Sequence, residues 1–208
     1  MEKIDKNKVY DMFMEWSKEN PGTWVDRSKN VAEVAGRVAK ALGLDEAKAY
    51  AMGLLYDIGR VKGSAGVRHT FDGYHFLKEE GYDEIARVCI THAFITQDVT
   101  NTIGEYDMTN DEYDFIRRFL REISFDEYDT LIQLADSMAL PDRIVLVETR
   151  LMDVCLRYGI DEKAAENIKA IYDIQLEIEE KLGHSIYKLF PEIGQTFDSK
   201  MLKDVFKF

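Results

Sequence analysis

Gly53-Leu54-Leu55-Tyr56-Asp57-Ile58-Gly59-Arg60 closes an apolar run with a carboxylate, a glycine and a cation. A carboxylate that follows such a run needs a partner, because an unpaired charge away from water is costly. Arg60 suits a helix C-terminus, where its charge meets the negative end of the macrodipole. Upstream, Val31, Val34, Ala35, Val38, Ala39 and Leu42 recur at helical spacing and line one face. Downstream, Ile116, Phe119, Leu120 and Ile123 do the same, as do Leu131, Ile132, Leu134, Ala135 and Met138. The three prolines, at 21, 141 and 191, each fall where a helix should start or stop. No alternating strand pattern of useful length is present. The spacing predicts helices over 5–19, 25–42, 45–57, 70–80, 83–93, 109–123, 125–139, 143–158 and 161–182, with a short one near the C-terminus. The fold class is therefore all-α.

One joint occurs three times, as Gly43-Leu44-Asp45-Glu46, Gly81-Tyr82-Asp83-Glu84 and Gly159-Ile160-Asp161-Glu162. The glycine takes the left-handed conformation that ends one helix. The aspartate accepts hydrogen bonds from the free amides that open the next, and its charge suits the dipole there. These are tight connections rather than a repeat architecture. The Gly-rich loop from Val61 to Arg68 and the irregular stretch 95–108 are the segments free to border a pocket.

The length of 208 residues and a hydrophobic content of 46% suit a single globular domain with a sizeable core. With 27 basic and 39 acidic residues the net charge is -12, which argues against a nucleic-acid polymer as partner. A small phosphorylated ligand is still allowed, since a few local cations suffice. Cys89 and Cys155 lie in apolar helical stretches and read as small buried hydrophobes. Together with an N-terminus lacking an apolar signal region and no run of membrane-spanning length, this points to a cytoplasmic protein without a membrane partner.

The octapeptide resembles the signature of the HD superfamily of metal-dependent phosphohydrolases, in which an adjacent His-Asp pair closes an apolar helix; Tyr56 stands at the His position. Trp24-Val25-Asp26-Arg27-Ser28-Lys29-Asn30-Val31-Ala32 resembles the family's earlier His-bearing helix start, with Arg27 at the His position. Arg68-His69-Thr70-Phe71-Asp72-Gly73-Tyr74 and Ile90-Thr91-His92-Ala93-Phe94 resemble the two later His segments, and Leu134-Ala135-Asp136 the distal Asp. The similarity runs from Trp24 to Leu140. It implies an HD-domain-like multi-helix bundle: one domain over 1–208, a motif core over 24–140 and additional C-terminal helices over 141–208 that carry no site motif and pack around the core.

The resemblance also implies an activity of phosphomonoesterase or phosphodiesterase type. In the family, two His, the doublet Asp and the distal Asp hold one metal, and two further His with the doublet Asp hold a second. Carried over, the first site keeps Asp57 and Asp136 and loses both imidazoles, to Arg27 and Tyr56. The second keeps Asp57, His69 and His92, a set suited to a divalent manganese, iron, zinc or magnesium ion. Arg27 offers no lone pair and repels a metal. Its guanidinium can instead take the cation's place between the two carboxylates, while Tyr56 fills the imidazole volume and donates its hydroxyl. Arg60, working with Asp57, and Arg68 flank the site and are expected to clamp phosphate oxygens. His75 and His184 are read as non-functional.

Three functions follow. The first is a pocket for a phosphorylated small molecule or nucleotide with weak or lost catalysis, and with no metal if Arg27 fills the site. The second is an active phosphohydrolase using one metal on Asp57, His69 and His92. The third is a helical interaction protein, which an exposed apolar patch would favour.

Overall fold

The computed structural model describes residues 4–63 and 66–197; the parts of the expected loop and C-terminal extension beyond these lie outside the described residues. Nine helices are seen among them: α1 Lys6–Trp16, α2 Thr23–Leu42, α3 Glu46–Leu55, α4 His69–Glu79, α5 Asp83–Thr91, α6 Asn110–Glu122, α7 Glu127–Asp136, α8 Val147–Tyr158 and α9 Glu162–Leu182. Short 3-10 segments cover Ser17–Glu19, Ile58–Lys62, Ile186–Leu189 and Pro191–Phe197. An isolated antiparallel bridge, Ala139 to Ile144, is the β pairing found among the described residues. The fold is all-α.

Each helix predicted from spacing is present, with informative differences at the ends. α3 stops at Leu55, so Tyr56 and Asp57 leave the helix and enter the turn before the Ile58–Lys62 segment. α8 starts at Val147 rather than 143, because the chain from Ala139 to Ile144 turns back on itself. Asp45 caps α3 through the amides of Ala47 and Lys48, and Asp161 caps α9 through that of Ala164, as expected; each such cap is worth about 1 kcal/mol. The middle joint differs. Tyr82 is the residue before α5, and Asp83 is already helical, with its carboxylate paired to Lys78.

The tight joint at Gly43 (φ 75°) folds α3 back along α2. Their backbones approach closely at Gly53, where a Cβ would lie 2.8 Å from Ala32 Cα. The main core runs from Val9 and Phe13 of α1 through Val34 and Val38 of α2, Leu54 of α3, Leu131 and Leu134 of α7 to Ile171 and Ile178 of α9 and Phe190. A second core of Val67, Ile90, Phe94, Val99, Ile116 and Leu120 seats α6 beside α4 and α5. Burying each large aliphatic or aromatic side chain contributes about 1.5–3 kcal/mol, so these two clusters fix where the helix ends point. Those ends converge on Asp57.

Candidate functional site

Seven of the residues selected from the sequence meet at one point. Arg27 comes from the first turns of α2, Tyr56 and Asp57 from the end of α3, and Arg60 from the following 3-10 segment. His69 opens α4, His92 follows α5 and Asp136 closes α7. Asp57 is fully buried, and its two oxygens face different chemistry. Oδ2 accepts from Arg27 Nη2 and from Arg60 Nε, both at 2.8 Å. Oδ1 faces His69 Nε2 at 3.0 Å and His92 Nε2 at 4.0 Å. Arg27 Nη2 also lies 3.5 Å from Asp136 Oδ1, and the Tyr56 hydroxyl donates to that same oxygen at 2.8 Å. The Tyr56 ring meets His92 edge-on at 4.8 Å.

The charges hold one another ionised. Burial works against the Asp57 carboxylate, but Arg60, His69 and Arg27 outweigh it and keep the group well below the usual carboxylate range. Burial likewise opposes the Arg27 charge, yet Asp136, Tyr56 and Asp57 hold its pKa well above the ordinary value. Asp136 is lowered against its own burial by Arg27, Arg150 and His92. Burial, with Asp136 beside it, raises the Tyr56 phenol well above its usual value, so Tyr56 acts as a neutral donor.

The two imidazoles are fixed by backbone. His69 Nδ1 lies 2.6 Å from the Gly66 carbonyl, and His92 Nδ1 lies 2.8 Å from that of Val88. A carbonyl only accepts, so each Nδ1 carries a hydrogen and each Nε2 is left facing Asp57 Oδ1. Burial pushes His92 down to about 4, only partly offset by Asp57, so it is neutral near pH 7. The two Nε2 atoms lie 3.4 Å apart, and Asp57 Oδ1 makes no aligned hydrogen bond despite its 3.0 Å contact with His69. Two ring nitrogens and a carboxylate oxygen, each able to ligate a metal, thus converge on one space. Bonds of about 2.1 Å to a tetrahedral ion would put its ligand atoms about 3.4 Å apart, so the donor set fits a metal. Among the described residues, Asp57, His69 and His92 form the cluster able to hold one. Asp136, expected as a ligand, is not part of it, because Tyr56 and Arg27 occupy its Oδ1.

Residues with no motif hold this arrangement. Asp107 accepts from the amides of Gly66 at 3.0 Å and Arg68 at 2.7 Å, which sets the Gly66 carbonyl that His69 uses. Thr91 donates to buried Asp129 at 2.8 Å, Arg87 pairs with the same carboxylate, and Gln133 donates to the Thr91 carbonyl at 2.8 Å. These bonds lock the end of α5, and hence His92, against α7.

Arg68 corrects its expectation. Its guanidinium is held by Glu112 at 3.1 Å and Asp72 at 3.5 Å, and it lines a separate cleft with Lys62 and His75. The C-terminal helices pack on the core as expected, and they also reach the site. The cleft over Asp57, about 530 Å³, is walled by α8 and α9 as well as by Arg27, Arg60 and the two histidines. Arg150 of α8 points into it and is almost fully buried. The missed signal was a charge within an apolar stripe, Val147, Arg150, Leu151 and Val154. The irregular segment before α6 borders the same cleft through Asn101 to Gly104.

No helix among the described residues is long and apolar enough to cross a membrane. No curated protein and no solved structure matches the chain. A family model does: the HD domain, matched over residues 24–140, more than half of the chain and the same span that brings Arg27, Asp57, His69, His92 and Asp136 together. The chain belongs to the HD-domain family, a superfamily of metal-dependent phosphohydrolases.

Proposed function

We propose that this chain is a phosphohydrolase of phosphate esters that works with one divalent metal on Asp57, His69 and His92, beside a fixed guanidinium, Arg27, where a second metal would otherwise lie. The observation that carries the reading is the convergence of the His69 and His92 Nε2 atoms on Asp57 Oδ1 in a buried space. One divalent ion would satisfy all three atoms at once. Two imidazoles and a carboxylate favour manganese, iron or zinc over magnesium, which prefers oxygen donors. When bound, such an ion supplies a lowered pKa to a coordinated water and charge to a phosphoryl oxygen. The chain's own residues do the rest. Arg27 and Arg60 neutralise Asp57 Oδ2 and offer N–H donors to phosphate oxygens. Tyr56 holds Asp136, which in turn keeps Arg27 in place. The continuous core from Val9 to Ile193 supports reading the chain as one domain.

Elemental analysis after incubation with manganese, iron and zinc tests this directly. About one metal per chain is expected, lost in His69→Ala and in His92→Ala, with hydrolysis of phosphomonoesters only by the loaded protein. A chain that retains no metal under any of these conditions sinks the reading. It would leave the metal-free pocket, in which two guanidiniums already neutralise Asp57, as the alternative. The positions of Arg27 and Tyr56 are tested separately. Arg27→His combined with Tyr56→His should add a second manganese per chain. If the double variant binds no more than its parent, these two residues do not stand at ligand positions.

A further inference from the structure

The cleft extends well beyond its charged floor. Its mouth is formed by Ile103, Tyr158 and Ile160, which are 39%, 58% and 68% exposed, and its wall by Leu151, Val154 and Ile168 of α8 and α9. A volume of about 530 Å³ lies in the range of clefts that bury a whole small-molecule ligand. Large exposed apolar side chains gathered around one opening mark a binding surface rather than ordinary scatter. Resting on the reading of the floor as a phosphate site, we propose that the cleft selects phosphate monoesters whose organic part is nonpolar, with that part lying against α8 and α9.

Most polar side chains on this wall are already engaged, though the exposed Tyr158 hydroxyl and the charged ends of Asp161 and Lys163 can still meet a ligand. Asn101 donates to Glu166 at 3.0 Å and accepts from Asn167 at 2.8 Å. The Thr102 hydroxyl donates to the Ala93 carbonyl at 3.1 Å, and Lys163 to that of Thr100 at 2.7 Å. Arg157 is paired to Asp153 at 2.7 Å. Asn167 Oδ1 is unpartnered but buried out of reach. A sugar entering here finds few free partners for its hydroxyls, whereas an alkyl or aromatic group finds open hydrocarbon. At the other end, Arg27, Arg60 and Arg150 gather as paired guanidiniums on Asp57, Asp136 and Asp153, with N–H donors left to offer a phosphate. The site is therefore amphiphilic: charged at depth, with Ile103, Ile160, Leu151, Val154 and Ile168 offering hydrocarbon toward the mouth.

Calorimetry on the manganese-loaded full chain separates the possibilities, using inorganic phosphate and phosphonates whose P–C bond resists hydrolysis: butyl-, hexyl- and octylphosphonate and the phosphonate analogue of ribose 5-phosphate. Affinity should rise about twofold per methylene added beyond butyl, roughly half the gain of a fully buried methylene. Octylphosphonate should bind more tightly than the ribose 5-phosphate analogue by about tenfold or more. Ile160→Ser, a change at an exposed position, should flatten the chain-length series. A flat series in the parent, with inorganic phosphate still bound, overturns the proposed selectivity and leaves the phosphate site standing. Failure of inorganic phosphate and every phosphonate to bind overturns both. A dimer that dissociates in Ile160→Ser, with the series unchanged, assigns the apolar mouth to a second copy of the chain and also overturns the proposal.

Discussion

Replacing Arg27 with alanine is expected to lower the stability of the metal-free protein by about 3 kcal/mol, the lower end of what removing one partner of a buried ion pair costs. The lower end applies because neither carboxylate is left wholly alone. Asp57 Oδ2 keeps Arg60, and Asp136 keeps the Tyr56 hydroxyl. For a chain of this size, the melting temperature should fall by roughly 6–12 °C. Arg27→Met keeps much of the volume and removes the charge, so it should lose nearly as much; Arg27→Lys should lose less. The loss should also depend on acidity. Asp57 and Asp136 are both held below their ordinary values, in part by Arg27. A depressed carboxylate stabilises the fold above its unfolded pKa of about 3.9, and that stability is lost as pH falls through the folded value. The gap between parent and Arg27→Ala should therefore narrow as pH is taken below about 4. Manganese should recover part of the stability of Arg27→Ala, by entering the space between Asp57 Oδ2 and Asp136. A melting temperature unchanged from the parent at neutral pH would show that Arg27 does not carry this pairing.

Several helices were legible because they announce their own starts. Asp45, Thr109, Asp126 and Asp161 all cap helices through side-chain oxygens, and the apolar spacing between caps fixes the buried face. The misplaced cap at Asp83 is a case where a nearby lysine offered the carboxylate a better partner than the helix amides did, and Gly159 ends α8 at φ 84° and ψ -177° rather than in the left-handed helical region. Site residues were legible where the motif carries them, and the geometry brings seven of them together. Arg68 was not, because adjacency to His69 says nothing about direction. One residue along a helix turns a side chain by about 100°, and Glu112 on α6 captures it there. Asp107 was hidden in a segment with no period to read, and it acts on backbone amides. The histidine tautomers depend on the carbonyls of Gly66 and Val88, which no side-chain letter reports. Arg150 alone left a trace, as a charge on an apolar stripe, and its role needed the fold to bring α8 over Asp57.

The glycine of the opening motif carries the other large expected effect. Gly59 sits two residues after Asp57, in the 3-10 segment that packs against the start of α4. A Cβ built there would lie 1.9 Å from the His69 carbonyl oxygen and 2.5 Å from the Gly73 amide nitrogen. Both are backbone atoms, so no rotamer change relieves the overlap, and the 3-10 segment must move away from α4. Asp57 and His69 are attached to the two parts that separate, and their 3.0 Å contact is one edge of the donor cluster. Gly59→Ala should therefore cost about 3 kcal/mol or more, at or beyond the upper end of overpacking penalties. It should also abolish metal retention at temperatures where the variant is still folded. Two milder variants test the cause. In Gly73→Ala the new carbon would be 3.0 Å from the Cys89 sulfur and 3.0 Å from the Gly59 amide, so a smaller shift suffices and an intermediate loss is expected. Gly63→Ala meets nothing within 4 Å but has a φ of +84°, so it should cost only the conformational penalty of about 1–2 kcal/mol and leave metal binding intact. Melting temperature and manganese stoichiometry, measured together on the three variants, should fall in the order Gly63→Ala, Gly73→Ala, Gly59→Ala. If Gly59→Ala melts with Gly63→Ala and binds metal like the parent, close backbone approach is not what sets the distance from Asp57 to His69.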